Sequence, residues 1–368
     1  MFPGPGAHSA GSLGPLVSGS AELRGMLERI DRIAAEYGWE PVSDLLLRAD
    51  EAHAGEVKQR PEHYWLAFYS TSLVLAAMLR SADVAADVLV GHSSGEVAAL
   101  VAADALTADA GARVLCERIR AVNDTALPTG AMIAVEAAAR RVEHMCAAVG
   151  DVSLAVAVDN GPRQVVVSGR SYAVHRLQRL AEALMVRATV LEAPGAFHNP
   201  MFGGAAHRFA EATAGIEVRA PLGRVYSPQL GRYVRSAGDV RELLAGLLVL
   251  PVAFRQALLH LYDDGVTDFV ECGAGQLLTG LVAANLPATA QAVPLLSDGA
   301  QALSVPDVLA RLVGRQQRPR DAVSAVSRAP LTAPRFAVAG EVPPAERDPS
   351  DRPAAAPALT ELTRPGTV

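Results

Sequence analysis

The chain has 368 residues, half of them hydrophobic, which is enough for one large globular domain or two smaller ones with a substantial core. Its formal net charge of −6 makes nucleic acids and anionic membrane surfaces poor candidates as partners. The three scattered cysteines have no metal-ligand spacing, and neither a signal peptide nor an apolar run of about 20 residues is visible, so we expect a cytoplasmic protein with reduced thiols and no metal.

The first part of the chain predicts several helices around one short strand. Phe2 and the glycines and prolines after it resemble the end of a strand followed by a turn, although only Met1 precedes it, so we expect the first strand of the sheet to be nearly absent. An apolar run at 88–90 meets the Gly-His-Ser-Ser-Gly sequence of residues 91–95. Helical periodicity covers residues 21–37, 62–79, 97–101 and 109–123.

The Gly-His-Ser-Ser-Gly sequence predicts a tight turn from strand to helix with Ser93 at its centre. Glycines on both sides let two backbones approach where a Cβ would clash, so the Ser93 hydroxyl can stand at the rim of a sheet. The helix that follows offers free N–H groups and the positive end of its dipole to an oxyanion. This context favours a nucleophilic serine; the alternative is a serine that only caps an ordinary helix.

The next segment has the pattern of a small mixed subdomain. Strands are predicted at 132–135, 153–158, 164–168 and 187–191, with helices at 138–149 and 172–184 and a turn at 159–162. The order strand, helix, strand, strand, helix, strand is typical of a ferredoxin-like unit.

We therefore predict an α/β fold: a large α/β-hydrolase-like subdomain with a parallel sheet, and an inserted ferredoxin-like small subdomain. The large catalytic subdomain covers 1–128 and 194–314, and the small one covers 129–193. Residues 315–368 are rich in Pro, Ala, Arg and Asp and predict a disordered tail. Within 194–314, helices are expected around 201–214, around 254–264 and from 276, with a strand at 266–271.

A serine nucleophile needs a base within hydrogen-bond reach. Among the nine histidines, His198 lies in a turn-rich segment at the exit from the small subdomain, from which it could lean over Ser93. His92 is next to Ser93 in sequence, so its side chain should point away from the serine and serve the structure. His260 would be the base of a generic esterase, but the glycine-rich oxyanion loop that such an esterase needs upstream is not found.

Six motifs in order resemble the malonyl-CoA:acyl carrier protein transacylases of fatty-acid synthesis and the acyltransferase domains of polyketide synthases. The similarity runs from Phe2 to about Leu281 and excludes the tail. The motifs are Phe-Pro-Gly-Pro-Gly at 2–6, Gly-His-Ser-Ser-Gly-Glu at 91–96, Cys-Glu-Arg-Ile-Arg at 116–120, the Asn-Gly-Pro to Ser-Gly hairpin at 160–169, Ala-Phe-His-Asn-Pro at 196–200 and Glu-Cys-Gly-Ala-Gly at 271–275.

This resemblance implies a ping-pong transfer through an acyl-serine. Ser93 is then the nucleophile and His198 its base, oriented by a backbone carbonyl at Ala253. The Ser94 N–H is one oxyanion-hole donor. Pro5 stands where the family has a glutamine whose N–H is the other donor, and proline has no N–H. Loss of one such donor typically lowers turnover by about 10²–10³.

The resemblance also implies how the acyl group is bound. Arg118 is expected to hold the free carboxylate of a malonyl-type group as a bidentate clamp, with Arg120 on the same helix as the rival for this match. Phe197 should crowd an α-methyl branch, whereas Gly195 leaves room that bulkier residues fill in other members. The further substrate-binding positions are Asn160 and His92.

The sequence thus predicts an acyltransferase that moves a malonyl-type acyl group from coenzyme A or a carrier thioester to the phosphopantetheine thiol of an acyl carrier protein, in polyketide or fatty-acid biosynthesis. No bound cofactor is implied, and we expect a monomer whose partners are the carrier protein and the coenzyme A thioester. The main alternative is an acyl carrier protein thioesterase on the same scaffold, in which water resolves the acyl-serine. A docking module that has lost catalysis, with Pro5 marking the decay, is disfavoured by the intact Ser93 and His198.

Overall fold

A computed structural model describes residues 1–4, 13–47, 61–125, 129–193, 195–297 and 305–316. Its contacts divide the chain into residues 1–319 and 320–368, and the second unit lies outside the described residues, as does almost all of the tail predicted at 315–368. Within the described ranges, no helix combines the length and the apolar composition needed to cross a membrane.

The helices, in chain order, are α1 (Gly14–Val17), α2 (Ala21–Glu36), α3 (Ser43–Leu47), α4 (Pro61–Ser81), α5 (Gly95–Ala102), α6 (Ala108–Asn123), α7 (Ala139–Val149), α8 (Ser171–Ala183), α9 (Gly203–Thr213), α10 (Ala237–Gly246), α11 (Phe254–Asp263), α12 (Leu277–Asn285) and α13 (Val305–Gln316). The strands are β1 (Leu89–Val90), β2 (Gly130–Val135), β3 (Ala155–Gly161), β4 (Gln164–Arg170), β5 (Ala188–Val190), β6 (Val225–Ser227), β7 (Arg232–Val234), β8 (Asp268–Ala274) and β9 (Gln291–Leu296). A 3₁₀ turn covers Pro200–Phe202 and leads into α9.

The first two residues join the two halves of the large sheet. The Phe2 N–H donates to the carbonyl of Val90 at 2.9 Å, and the Cys272 N–H donates to the carbonyl of Met1 at 2.8 Å. Pairing therefore runs from β7 through β6 and β1 to residues 1–2, and on to β8 and β9, parallel except at β7. Residues 1 and 2 form an isolated bridge and no strand of their own, as expected, yet their backbone groups are bonded to both neighbouring strands.

The small subdomain has the predicted ferredoxin-like topology. Its strands pair in the order β3-β4-β2-β5, every neighbouring pair is antiparallel, and α7 and α8 are the two connecting helices. Aliphatic side chains between helices and sheet form a core of their own, including Val142, Val167 and Leu177. The turn predicted at 159–162 is shorter than expected, because β3 continues to Gly161 and β4 begins at Gln164.

Several buried polar contacts fix the small subdomain against the large one. The Asp159 N–H donates to the carbonyl of Val252 at 2.9 Å, so β3 meets the segment before α11. The Asn199 amide donates to the carbonyls of Ser153 and Ser168 at 2.9 and 3.1 Å. Because Asn199 follows His198, these bonds also fix the backbone that carries His198.

Two predicted boundaries need small corrections. The helix expected at 201–214 is divided into the 3₁₀ turn and α9. The helix α13 ends at Gln316, so ordered structure continues two residues into the predicted tail.

The Glu-Cys-Gly-Ala-Gly motif places the buried Glu271 carboxylate at the start of α12, where it accepts from the Leu278 and Thr279 N–H groups at 3.1 and 2.8 Å.

Candidate active site

The turn between β1 and α5 holds Ser93 in a backbone conformation that side chains rarely adopt, with φ of 56°. A Cβ on Gly91 would lie 2.2 Å from the Glu96 nitrogen, and one on Gly95 would lie 2.1 Å from the Phe2 carbonyl oxygen. Only glycine fits at either position. Since the turn cannot relax past these contacts, Ser93 is held at the end of the strand and just before the helix.

Ser93 and His198 meet although they are 105 residues apart in the sequence. The Ser93 hydroxyl donates to Nε2 of His198 at 2.6 Å. On the other side of the ring, the Nδ1–H donates to the Leu250 carbonyl at 2.8 Å. The carbonyl can only accept, which assigns the proton to Nδ1 and leaves Nε2 free to take the serine proton.

The carbonyl behind His198 corrects one prediction. It belongs to Leu250 and not to Ala253, whose own N–H donates to the Pro228 carbonyl at 3.2 Å. The residues after α10 turn back on themselves, with the Leu250 N–H bonded to the Gly246 carbonyl at 2.8 Å, and this turn directs the Leu250 carbonyl toward the histidine. Because a backbone carbonyl does this work, no acidic third residue is required.

Burial keeps His198 neutral. Removal from water lowers the pKa of His198 to about 3, and the positive charge of Arg118 contributes in the same direction. The bond from Nδ1 to Leu250 acts against this shift but is the smaller effect. Both Ser93 and His198 are buried, so at neutral pH the pair consists of a hydroxyl and an unprotonated imidazole, the starting state for general-base catalysis.

Arg118 is buried in the same region, and none of the described residues forms an ion pair with it. Its side chain is 1% exposed, and its Nε and Nη2 atoms have no hydrogen-bond partner among the described residues. These two nitrogens form one edge of the guanidinium, the edge that can hold both oxygens of a carboxylate. Burial lowers the pKa of Arg118 to about 9, which still leaves the group charged at neutral pH.

The rival arginine is placed differently. The Arg120 side chain is 54% exposed and pairs with the carboxylate of Glu117 at 2.8 Å on the outside of α6. It also lies 5.8 Å from the ring centre of Tyr37, again at the surface. Of the two candidates, therefore, Arg118 is the one with a buried and unused carboxylate-binding edge.

Aromatic rings line the space beside Arg118. The guanidinium carbon lies 4.1 Å from the ring centre of Trp65 and 4.5 Å from that of Phe197. The Phe202 ring packs against Phe197 with centres 5.4 Å apart. A Cβ on Gly195 would approach the tip of the Phe202 ring at 3.0 Å, so the room expected beside Gly195 is already filled by Phe202.

The two remaining predicted substrate-binding side chains contact each other. Nε2 of His92 lies 2.8 Å from Oδ1 of Asn160, and the His92 ring packs edge-on against Phe254. The Asn160 carbonyl also accepts from the Asn285 amide at 2.8 Å. Both residues thus form part of the contact between the subdomains, next to Ser93. Their predicted roles in binding substrate stay predictions.

The predicted oxyanion hole lies only partly within the described residues. Ser94 is the N-cap of α5, where backbone N–H groups and the helix dipole favour a negative charge. Gly4 lies against this turn, since a Cβ there would sit 2.9 Å from the His92 carbonyl oxygen. Pro5 lies outside the described residues, so the effect of its missing N–H stays a prediction.

Sequence reasoning missed other residues at the site, namely Trp65, Phe202 and Leu250, and it gave Glu96 no role. The buried Glu96 carboxylate accepts from the Gln229 side-chain amide at 3.0 Å, and burial raises the pKa of Glu96 to about 8. Burial therefore favours the neutral form of Glu96 at pH 7. In the described part of the chain, no group of three or more His, Cys, Asp or Glu side chains is placed to hold a metal ion.

Comparison with known proteins agrees with this geometry. The family model described as "Acyl transferase domain" matches residues 1–326. A malonyl CoA-acyl carrier protein transacylase from Bacillus subtilis is 30% identical over 223 residues, covering 59% of this chain and 70% of that protein. A polyketide synthase from Streptomyces halstedii is 31% identical over 287 residues, covering 76% of this chain but 4% of the synthase.

The chain is also similar to solved structures of transacylases and of polyketide synthase acyltransferase domains. A malonyl-CoA:acyl carrier protein transacylase from Xanthomonas oryzae matches with a TM-score of 0.75 and 27% identity, over 85% of this chain and 96% of that one. The acyltransferase domain of module 8 of the salinomycin polyketide synthase matches with a TM-score of 0.74 and 29% identity, over 85% of this chain and 74% of that one. The chain spans only a small part of the polyketide synthases it matches, 15% of one from Nectria sp.

Proposed function

Because the chain belongs to the acyl transferase domain family, we propose that it transfers a malonyl-type acyl group from a coenzyme A thioester to the phosphopantetheine thiol of an acyl carrier protein. The observation that carries this proposal is the unpaired, buried edge of Arg118 beside the bonded pair of Ser93 and His198. The pair supplies a nucleophile with its base, and the arginine supplies a binding partner for a carboxylate.

In the first half-reaction, Ser93 Oγ attacks the thioester carbonyl while its proton moves to Nε2 of His198. The C–S bond breaks, and the coenzyme A thiolate leaves with the proton from Nε2. In the second half-reaction, the carrier thiol gives its proton to Nε2 and its sulfur attacks the acyl-serine carbonyl. Breakage of the ester bond then returns the proton to Ser93.

The charge on Arg118 favours an acyl group with a free carboxylate. A buried guanidinium against an uncharged acyl chain would lack a counter-ion, which costs several kcal/mol. A malonyl-type group places one carboxylate two bonds from the reacting carbonyl and can satisfy Nε and Nη2 together. The Phe197 and Phe202 rings, packed against each other beside Arg118, are proposed to crowd a branch next to that carboxylate.

The names of the relatives are those of transacylases and polyketide synthases, and they do not support the thioesterase alternative. The carrier protein as acceptor, action in polyketide or fatty-acid biosynthesis, a cytoplasmic setting and a monomeric state are parts of the same proposal. Of these, only the cytoplasmic setting draws support from the three free cysteines, of which Cys116 and Cys272 are buried.

The test follows both half-reactions by intact mass. The protein is incubated with malonyl-CoA and then with holo acyl carrier protein, while free malonate is measured in parallel. We expect one malonyl group on the protein, followed by its appearance on the carrier. Acid release that outpaces transfer would replace the transferase by a hydrolase. If no acyl-CoA acylates the protein, both enzymatic functions fail.

A further inference from the structure

The two rings beside Arg118 form a corner. The guanidinium carbon is 4.1 Å from the Trp65 ring centre and 4.5 Å from the Phe197 ring centre, and the two centres are 5.7 Å apart. These separations give an angle close to 90° at the guanidinium carbon, and the ring planes differ by 70°. The rings therefore contact the guanidinium from two adjacent sides.

Among the described residues, no acidic side chain forms an ion pair with the Arg118 guanidinium. Glu117, the carboxylate next to Arg118 in sequence, accepts from the Tyr37 hydroxyl at 2.7 Å and pairs with Arg120 at the surface. Arginine has a long side chain with considerable rotamer entropy, which must be lost before it can bind a carboxylate with two bonds. In this protein, the aromatic corner contacts the guanidinium directly and is placed to restrict it before substrate arrives.

Trp65 is the stronger half of the corner. An indole face attracts a cation more strongly than a phenyl face, and the attraction grows when both groups are removed from water. Trp65 is 6% exposed and projects from α4, whereas Phe197 lies on the segment that also carries His198. The contact of Trp65 with Arg118 therefore does not depend on the backbone segment that carries His198.

We propose that Trp65 is a positioning residue: it holds the Arg118 guanidinium in place on the same side of the molecule as the Ser93–His198 pair, and it thereby sets the preference for acyl groups that carry a carboxylate. This inference rests on the proposed function. Trp65 itself does not contact the reacting atoms. Its effect should therefore appear in the binding of the charged acyl group and not in the chemical step.

The test compares Trp65→Phe, which keeps an aromatic face, with Trp65→Leu and Trp65→Met, which fill the space without one. Trp39→Leu is the matched control, since the Trp39 ring packs against Tyr37, whereas the rings over Arg118 are those of Trp65 and Phe197. Acylation of Ser93 is measured by intact mass in single turnovers, as a function of malonyl-CoA and of acetyl-CoA concentration. Thermal unfolding identifies any variant that does not fold.

We expect Trp65→Leu and Trp65→Met to raise the half-saturating malonyl-CoA concentration about tenfold to thirtyfold, with a much smaller change in the maximal rate. Acetyl-CoA, which has no carboxylate, should be used as before. Trp65→Phe should stay within about threefold of the wild type, and Trp39→Leu should change neither substrate.

Two results would overturn the inference. One is an equal loss with malonyl-CoA and acetyl-CoA, which would make Trp65 a packing residue. The other is a Trp65→Phe variant as impaired as Trp65→Met, which would show that indole shape and not the aromatic face matters. If the wild type forms no malonyl-enzyme at all, the proposed function itself fails, and that outcome is read directly from the unmodified protein.

Discussion

The two subdomains differ in how many of their buried polar side-chain atoms lack a hydrogen-bond partner among the described residues. In the small subdomain, aliphatic side chains fill the space between helices and sheet. Among its described residues, one buried side-chain atom has no hydrogen-bond partner: Oδ1 of Asp159, on the strand that faces the large subdomain. In the large one, Glu96, Arg118 and Gln229 all carry buried atoms without such a partner near Ser93. Among the described residues, Ser93 and His198 of the large subdomain are the buried non-glycine residues with positive φ, whereas Met185 of the small subdomain has positive φ at an exposed position.

The difference shows where this protein gives up stability for function. Unpaired buried polar groups and strained backbone each cost free energy, and they persist only where the surrounding structure enforces them. The small subdomain follows the ordinary rules of packing throughout its core. We therefore expect substitutions in the two regions to separate activity from stability.

The largest expected effect is on the catalytic pair. Ser93→Ala and His198→Ala should each lower acyl transfer by about 10⁴-fold or more, because the nucleophile and its base act as a unit. Transfer of radiolabelled malonyl to the carrier protein measures this loss. His260→Ala is the control: its ring packs near Tyr226 and Tyr233, and transfer should be retained. Equal losses in His198→Ala and His260→Ala would contradict the assignment.

Arg118→Leu should lower malonyl loading by about 10²–10³-fold, since a desolvated charge contact to the carboxylate is lost. The free energy of unfolding should stay the same or rise, because an unpaired buried charge is removed. Loading kinetics and urea unfolding measure the two effects. Arg120→Leu, which removes an exposed and paired arginine, should change neither by more than a small amount. A variant of Arg118 that loads malonyl normally would refute the clamp.

The small subdomain should show the reverse behaviour. Leu177→Ala deletes a fully buried side chain from its aliphatic core and should lower the free energy of unfolding by about 2–5 kcal/mol. The rate of malonyl loading on the folded protein should remain unchanged. Leu184→Ala, at a side chain 43% exposed, provides the control with little effect on either quantity. Loss of loading in Leu177→Ala would show that the two regions are not separable.

Glu96→Gln should reveal a pH dependence that burial creates. The pKa of Glu96 is raised from 4.5 to about 8 in the folded protein, so the folded state binds more protons than the unfolded state between these values. Stability from this group is present below pH 4.5 and is lost as pH rises toward 8, by about 1.4 kcal/mol per pH unit. The free energy of unfolding is measured by urea for the wild type and for Glu96→Gln across pH 5–8. The difference between the two proteins should change with pH, because only the wild type has a carboxyl group at this position.

The smallest expected effect is on the pH profile of acylation. The pKa of His198 is lowered to about 3, so the histidine stays unprotonated from pH 5 to 8. The maximal rate of Ser93 acylation should therefore be flat over that range. Rapid-quench measurements with malonyl-CoA at buffered pH values provide the test. A fall in rate below about pH 6.5, as for an exposed histidine, would contradict the burial argument.

Much of the fold could be predicted because the patterns are local. The helices α2, α4 and α6 and the whole order of the small subdomain follow from periodicities within ten to twenty residues. The strands β6 and β7 could not, since each has three residues and too little pattern to detect. The helix α10 was also missed, although its capping box of Ser236 and Asp239 was a readable signal.

The sequence by itself determined the turn that holds Ser93, the family to which the chain belongs and the histidine that serves it. These depend on backbone preferences within a few residues and on ordered motifs. Only the tertiary structure decided that Arg118 and not Arg120 is buried, that Leu250 supplies the carbonyl behind His198, and that Trp65 lies against the guanidinium. Such contacts join segments far apart in the chain, and the two-residue step from Arg118 to Arg120 turns about 200° around the helix, which separates a buried arginine from an exposed one.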